Sequence, residues 1–301
     1  MSKSKLDSIL LLSVLSIIWG SSFILMKKGM VSYSAPQVAS MRILFAGLVF
    51  VPTIILRFKS IPWNKFWYIL LFGVLEVGIP PFLYTFAQTR VDSSSAGILN
   101  SLVPLFTLAI GMVVFKLRYR WTTTLGVFIG LFGAFIITFM KNGGTGEGLV
   151  NLGNSYGLLI VFATLLYGIA GNLLKEKLNE VSGTMITAVA FVTLAIPAGI
   201  YLLTTNFFSI PLSNSANLYS LGAIVVLAVF GSALAILLFS KLIKLSNALF
   251  ASFVTYLIPF VSLLWGWLDG ENISIVHFSS LFVIFLGIYI ANKSEKRVRV
   301  R

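Results

Sequence analysis

Long apolar stretches recur along this chain, and short polar or Gly- and Pro-containing segments separate them. A helix that crosses a membrane needs about 20 mostly apolar residues, because the hydrocarbon core is roughly 30 Å thick and each residue rises about 1.5 Å. The pattern therefore predicts an all-α integral membrane protein with ten transmembrane helices and short connections. The ten runs are 7–27, 36–57, 65–86, 94–115, 121–140, 155–174, 183–204, 217–239, 247–268 and 273–292.

Composition supports this prediction. Of the 301 residues, 58% are hydrophobic and 10% are charged, whereas about a quarter of the residues in a soluble domain are charged. A water-soluble globule is therefore excluded. The first run follows Lys3 and Lys5, as in a signal peptide, but it is longer than the usual apolar core and no small-residue cleavage pattern follows. We therefore expect a retained first helix.

The basic residues are unevenly divided between the two sides that alternating helices define. Lys and Arg number 22 against 9 Asp and Glu, which gives a net charge of +13. Alternation places Lys27, Lys28, Arg90 and Lys141 on one side and Arg42 inside the second run, and the other seventeen lie on the opposite side. The positive-inside rule then predicts a multi-pass protein of the cell (plasma or inner) membrane with both termini in the cytoplasm.

The two halves of the chain resemble each other. The pair Trp19-Gly20 has a counterpart, Tyr167-Gly168, 148 residues later. Four residues of the fourth run recur in the ninth run 155 residues later, namely Ala96, Leu102, Pro104 and Gly111 as Ala251, Leu257, Pro259 and Gly266. Because five helices per repeat is an odd number, the second copy must enter the membrane from the opposite face, which gives two inverted five-helix repeats. We expect a first repeat over 1–141, a Gly-rich linker over 142–154 and a second repeat over 155–301, whose basic tail contacts anionic lipid.

Several motifs occur in order at this ten-helix spacing: WGSSFILMKK (Trp19 to Lys28), VASMRILFAG around Arg42, SSSAGILNSLVPLF (Ser93 to Phe106), ALFASFVTYLIPF (Ala248 to Phe260) and WLDGE ending at Glu271. In these motifs the chain resembles the EamA family of the drug/metabolite transporter (DMT) superfamily. The resemblance implies a ten-helix carrier with a central cavity, which moves small metabolites, amino acids or drugs without ATP hydrolysis. One position departs from the family pattern, since Lys116 stands where the first repeat would carry the equivalent of Glu271.

An acidic residue lies near the centre of the third run. Ionisable groups in a membrane cost at least about 2.5–3.5 kcal/mol at a helix centre and usually face the bundle interior. Pro80 and Pro81 follow Glu76 and remove two backbone donors, which predicts a kink or break. Glu76 is therefore a candidate for substrate binding or for coupling to protons. The alternative is a protonated Glu that is hydrogen-bonded between helices.

A basic residue lies inside the second run. Arg42 is about six residues from the end of that run, which places it roughly 8–9 Å below the surface. At this depth its side chain can snorkel to the interface or lock helices together. It can equally bind a substrate carboxylate or phosphate, or pair with Glu76. Lys27 and Lys28 end the first run and are predicted to be interfacial anchors.

Polar and aromatic residues at mid-depth are further candidates for a substrate cavity. Aromatic walls with a few amide groups bind amphiphilic solutes by stacking and hydrogen bonding, although helix packing is the alternative for each residue. Pro104 and Pro259 occupy matching places and predict a pair of interrupted helices, which in transporters mark the binding site. The other candidates are Trp19, Tyr84, Gln88, Asn100, Tyr167, Asn172 and Tyr256.

Two glycine patterns have a structural interpretation. Gly126 and Gly130 are four residues apart in the fifth run, which predicts close helix packing, within the chain rather than in a dimer. Gly144, Gly146 and Gly148 lack the following Lys-Ser/Thr of a phosphate-binding loop, so we assign them to the linker.

The chain offers little for other chemistry. It has no cysteine and a single histidine, His277, so we expect no metal site and no cofactor. We predict a secondary transporter, with export as the expected direction, that alternates access to a central cavity, and not an enzyme. The alternatives are a non-transporting membrane scaffold and an integral-membrane enzyme acting on lipid-linked groups. For the enzyme, the scattered Asp92, Glu147, Asp269 and Glu271 form no catalytic pattern.

Overall fold

The computed structural model describes residues 3–114, 116, 121–140, 155–245 and 254–295. The predicted linker 142–154 and the tail residues 296–301 lie outside the described residues. Every regular element of the described ranges is helical: α1 Lys3–Gly20, α2 Ser22–Gly29, α3 Ala35–Leu56, α4 Phe66–Gly73, α5 Ile79–Ala87, α6 Ser93–Asn100, α7 Val103–Val113, α8 Trp121–Phe139, α9 Gly157–Lys177, α10 Gly183–Leu203, α11 Ser215–Ala228, α12 Ala235–Leu245, α13 Val254–Leu268 and α14 Ile275–Glu295.

The helices follow the apolar runs closely. In the described part of the chain, eight helical stretches are long and apolar enough to cross a membrane, and Val254–Leu268 and Ile275–Ala291 are shorter apolar helices. Each predicted run overlaps one of these ten stretches, which confirms an all-helical membrane protein. The eight long stretches are Leu6–Gly29, Ala35–Leu56, Trp63–Ala87, Ser93–Val113, Trp121–Phe139, Gly157–Lys177, Gly183–Leu203 and Ser215–Phe239.

Two of the long stretches contain a wide, π-helical turn. The first wide turn is Val74–Gly78, between α4 and α5, and the second wide turn is Val229–Leu234, between α11 and α12. Pro80 and Pro81 lack the backbone N–H groups that would continue the regular α-helical hydrogen bonds, which accounts for the first wide turn. Such segments occur frequently at functional sites, and the first contains Glu76.

Proline has different effects in the fourth and ninth runs. The fourth run is interrupted, because α6 ends at Asn100 and α7 begins at Val103 with Pro104 in its first turn. Pro259 instead lies inside α13, which continues past it. The expected helix break at Pro259 is therefore wrong for the described part of this run. In a membrane bundle, neighbouring helices and hydroxyl side chains can satisfy the backbone groups that a proline leaves free.

Helices from the two halves of the chain pack against each other. α3 packs on α10, α6 on α13 and α8 on α14, while α1 contacts α12 and α13, and α9 contacts α5 and α7. A methyl group added at Gly126 of α8 would lie 2.5 Å from the carbonyl oxygen of Gly287 in α14. Gly130 instead faces Leu105 of α7. The close packing expected of these glycines thus occurs within one chain.

Candidate functional site

Four polar side chains lie near one another in the interior of the bundle. Arg42 extends from α3, Glu76 from the first wide turn, Tyr84 from α5 and Tyr167 from α9, and the four interact electrostatically. Tyr84 is buried, whereas Arg42, Glu76 and Tyr167 are half-buried. We call these four residues the interior cluster.

Arg42 contacts residues of two other helical segments. Its Nε donates a hydrogen bond to the hydroxyl of Ser232 in the second wide turn (3.2 Å), and its Nη1 lies 3.9 Å from the Met26 sulfur. Among the described residues no carboxylate lies within 4.0 Å of the guanidinium, so the considered Arg42–Glu76 ion pair is not formed at this distance. A guanidinium has five N–H donors, and the contacts with Ser232 and Met26 use two of those on Arg42.

Aromatic rings cover one side of the interior cluster. The rings of Tyr84 and Tyr167 stack at 6.2 Å with an interplanar angle of 27°, and Phe23 lies 5.8 Å from Tyr84. The Tyr84 hydroxyl donates a hydrogen bond to the side-chain carbonyl of Asn100 at 2.7 Å, at the end of α6. Asn100 therefore fixes a ring of the aromatic wall at the point where the fourth run is interrupted.

Trp19 joins the first helix to the second wide turn. Its indole N–H donates to the carbonyl of Gly231 at 3.1 Å, and its ring lies 5.3 Å from that of Phe239. Gly231 directly precedes Ser232, the partner of Arg42. A wide turn leaves carbonyl groups outside the regular ladder, and the indole satisfies one of them. Trp19 thus positions the residue that orients Arg42.

A second polar cluster lies at the end of the bundle where α2 ends and α6 begins. The Lys27 ammonium is 2.8 Å from both the Glu271 and the Asp269 carboxylates, and Lys28 pairs with Asp269. Glu271 also accepts hydrogen bonds from the N–H and hydroxyl of Ser93, at 2.9 and 2.6 Å, and from the N–H of Ser94 at 3.0 Å. These six residues form what we call the Glu271 cluster: Lys27, Lys28, Ser93, Ser94, Asp269 and Glu271.

The Glu271 cluster gives the two lysines, which were predicted to be interfacial anchors, a set of ion-pair partners. They make ion pairs with carboxylates that lie more than 240 residues away in the sequence. Burial would raise the pKa of Glu271, but hydrogen bonds from Lys27, Ser93 and Ser94 outweigh it and lower that pKa to about 2. Burial likewise acts to raise the pKa of Asp269, and hydrogen bonds from both lysines lower it. Both carboxylates are therefore ionised at neutral pH.

Comparison with known proteins places the chain in a family. Residues 7–139 and again residues 154–293 match the EamA-like transporter family. The chain belongs to this family. An uncharacterized inner membrane transporter, YedA of Escherichia coli, is 28% identical to this EamA-like protein over 284 residues, which are 93% of this chain and 88% of the relative.

Other similar proteins also match over most of the chain. A protein of Chlamydia trachomatis named S-adenosylmethionine/S-adenosylhomocysteine transporter is 26% identical to this EamA-like protein, over 87% of this chain and 81% of the relative. A solved crystal structure with 17% sequence identity covers 97% of this chain and 98% of its own, with a TM-score of 0.61. At that identity it supports the fold alone.

Several predicted site residues of the EamA-like protein make contacts that hold helices together. The Asn172 amide donates to the carbonyls of Thr107 and Gly168, both at 2.8 Å, and so fixes α9 against α7. Tyr256 packs edge-on against Phe285 at 6.1 Å. The Gln88 amide donates to the Phe23 carbonyl at 3.0 Å. Each of these three residues thus contacts a neighbouring helix.

Sequence reasoning also missed a residue of the site. Ser232 lies in an apolar run and carries no charge, so nothing marked it as a partner of Arg42. Its position in the repeat was the signal that could have identified it. The pair Gly231-Ser232 lies 155 residues after Glu76-Val77, which is the spacing between the two repeats. For metal binding, the described ranges contain no cluster of three or more His, Asp or Glu side chains.

Proposed function

We propose that this EamA-like protein is a secondary transporter that alternates access to the interior cluster and exports small metabolites such as amino acids or drug-like amphiphiles. The observation that carries the proposal is Arg42, a half-buried cation whose hydrogen-bond partners in the described residues are one serine hydroxyl and one methionine sulfur. Glu76 supplies an opposite charge nearby, and the Tyr84–Tyr167 stack supplies an apolar wall. A solute with a charged head group and an apolar body complements this arrangement.

We further propose that the carrier consists of two inverted five-helix repeats, 1–141 and 155–301. The packing supports this arrangement, because Gly20 approaches Val261 while its counterpart Gly168 approaches Phe106, and these two partners are themselves 155 residues apart. The two wide turns also begin 155 residues apart. Repeats related in this way can rock against each other around a site at their interface.

The proposed orientation follows from the basic residues. Seventeen Lys and Arg residues lie on one side of the alternating helices, which is the cytoplasmic side by the positive-inside rule. Both termini then lie in the cytoplasm, and the Glu271 cluster lies at the outer face. We expect the basic residues of 293–301 to contact anionic lipid head groups.

A ligand screen followed by flux measurement tests the proposed transport. Detergent-purified protein is heated with amino acids, nucleosides, sugars, cationic drugs and S-adenosylmethionine, the last because one relative is named for it. We expect at least one solute with a carboxylate to raise the melting temperature, since a ligand that binds the native state stabilises it. The same solute should then enter proteoliposomes faster than protein-free vesicles. Stabilisation by no solute, with no flux, would support a scaffold, and chemical conversion of a solute would support an enzyme.

Glu76 is proposed to couple transport to protons. In Glu76→Gln protein, uphill uptake driven by a pH gradient should fall at least tenfold, because an amide cannot take up and release a proton. Exchange of labelled for unlabelled substrate should persist, since it needs no net proton movement. Glu180→Gln, at an exposed acid after α9, is the control and should retain both activities. Unchanged gradient-driven uptake in Glu76→Gln would exclude this role.

A further inference from the structure

The Glu271 cluster connects the two proposed repeats at one end of the bundle. Lys27 and Lys28 end α2, and Ser93 and Ser94 begin α6, all in the first half of the chain. Asp269 and Glu271 follow α13 in the second half. Three ion pairs within 4.0 Å and three hydrogen bonds that Ser93 and Ser94 donate to Glu271 therefore cross between the halves. Separation of the halves at this end must break these contacts together.

Glu271 is the centre of these contacts. Its side chain is 2% exposed, and both carboxylate oxygens accept hydrogen bonds. The backbone N–H groups that it binds belong to the first turn of α6, where the helix dipole favours a negative charge. Gly266 makes room for it, because a methyl group there would lie 2.4 Å from the Glu271 carboxylate. A buried charge of this kind is costly to leave without its partners.

The opposite end of the bundle has different residues at the equivalent positions. By the two repeat spacings, Lys175 corresponds to Lys27 and Lys116 corresponds to Glu271. Both spacings recur in the packing, because Gly20 and Gly168 are 148 residues apart and the residues they approach, Phe106 and Val261, are 155 residues apart. Both counterparts are cations and both are exposed, and in the described part of the chain neither forms an ion pair within 4.0 Å. Two like charges at equivalent places repel rather than attract.

We propose that the Glu271 cluster is a latch that holds its end of the transporter closed, and that Lys116 and Lys175 deprive the opposite end of an equivalent latch. The inference rests on the proposed function, because a latch at one end has a role only in a transporter that opens alternately at its two ends. The resting protein is then closed at the Glu271 end. Opening at that end requires the loss of every contact of a buried carboxylate at once.

Distances between pairs of spin labels test this proposal without any substrate. The chain has no cysteine, so two introduced cysteines carry the only labels. Val31 and Ile275, which are 68% and 77% exposed, report on the Glu271 end, and Val113 and Asn179 report on the opposite end. In proteoliposomes at neutral pH, we expect one short distance between labels at Val31 and Ile275 in the otherwise unchanged protein.

Removal of the carboxylate charge should open the latch. In Glu271→Gln protein, the fraction of molecules with a longer Val31–Ile275 distance should rise at least fivefold, whereas Glu180→Gln should match the unchanged protein. Adding Lys116→Glu to Glu271→Gln places an acid at the position equivalent to Glu271, while Lys175 stands at the position equivalent to Lys27, and the distance between labels at Val113 and Asn179 should then become shorter. If Glu271→Gln does not fold, Lys27→Gln serves in its place with the same expectation.

The results separate the latch from the proposed transport. Unchanged Val31–Ile275 distances in a folded Glu271→Gln or Lys27→Gln protein would overturn the latch, even if the unchanged protein transports solutes. A distance change in a protein that moves no solute would support the latch as a contact between halves and overturn the transport function.

Discussion

Transport by Arg42→Ala protein should be about 100-fold slower than transport by the unchanged protein at a low concentration of a carboxylate substrate. The guanidinium lies beside Ser232 with no carboxylate partner in the described residues, so a substrate anion is expected to occupy its free donors. Hydrogen bonds to charged groups contribute about 1.5–3 kcal/mol each, and about 3 kcal/mol corresponds to roughly 100-fold. Initial uptake rates in proteoliposomes provide the measurement.

Two variants show whether this loss comes from the site. Arg57→Ala removes an exposed arginine directly after the same helix and should transport normally. Arg42→Lys keeps the charge but loses the planar fork that binds a carboxylate through two N–H groups, so we expect about a tenfold loss with an unchanged melting temperature. Normal transport by a folded Arg42→Ala or Arg42→Lys protein would show that the substrate does not bind this side chain.

Gly126→Ala should destabilise the fold by about 1–3 kcal/mol, the usual cost of overpacking. The added methyl group would lie 2.5 Å from the Gly287 carbonyl oxygen and 2.6 Å from the Ala291 backbone nitrogen. These atoms belong to the backbone of α14 and cannot rotate away, so α8 and α14 must move apart. The melting temperature of the detergent-purified protein should fall.

Gly222→Ala is the matched control, since Gly222 also lies inside a helix and an added methyl group would have no atom within 4 Å. Alanine is favoured over glycine in a helix by about 1 kcal/mol, so this variant should melt at or above the temperature of the unchanged protein. A Gly126→Ala protein that melts as high as Gly222→Ala would refute the close approach of α8 and α14.

The helices could be predicted from the sequence because the signal is local. A spanning helix satisfies its own backbone hydrogen bonds and must present apolar side chains over about 20 residues. Both requirements act within one segment, so the predicted runs and the observed stretches differ by only a few residues in the described ranges. The irregularity at the first wide turn could likewise be predicted from the sequence, because Pro80 and Pro81 follow it. The second contains no proline, and only the structure revealed it.

The sequence also identified the charged members of the interior cluster. Arg42 and Glu76 stand out because a charge in an apolar run is costly and therefore rare. Tyr84, Tyr167 and Asn100 were named with them, but so were Asn172 and Tyr256, whose described contacts hold helices together. A polar or aromatic residue at mid-depth can face a cavity or a neighbouring helix, and the apolar pattern of its own segment does not distinguish the two.

By itself, therefore, the sequence determined the membrane class, the helices, the family resemblance and the charges that need an explanation. The tertiary structure decided which groups meet. Arg42 and Ser232 are 190 residues apart, and Lys27 and Glu271 are 244 residues apart. Each pairing depends on how helices from the two halves pack, and packing is set by side-chain shape over the whole bundle rather than within one segment. For this reason the sequence predicts Lys27 as an interfacial anchor but does not reveal its ion pairs with Asp269 and Glu271.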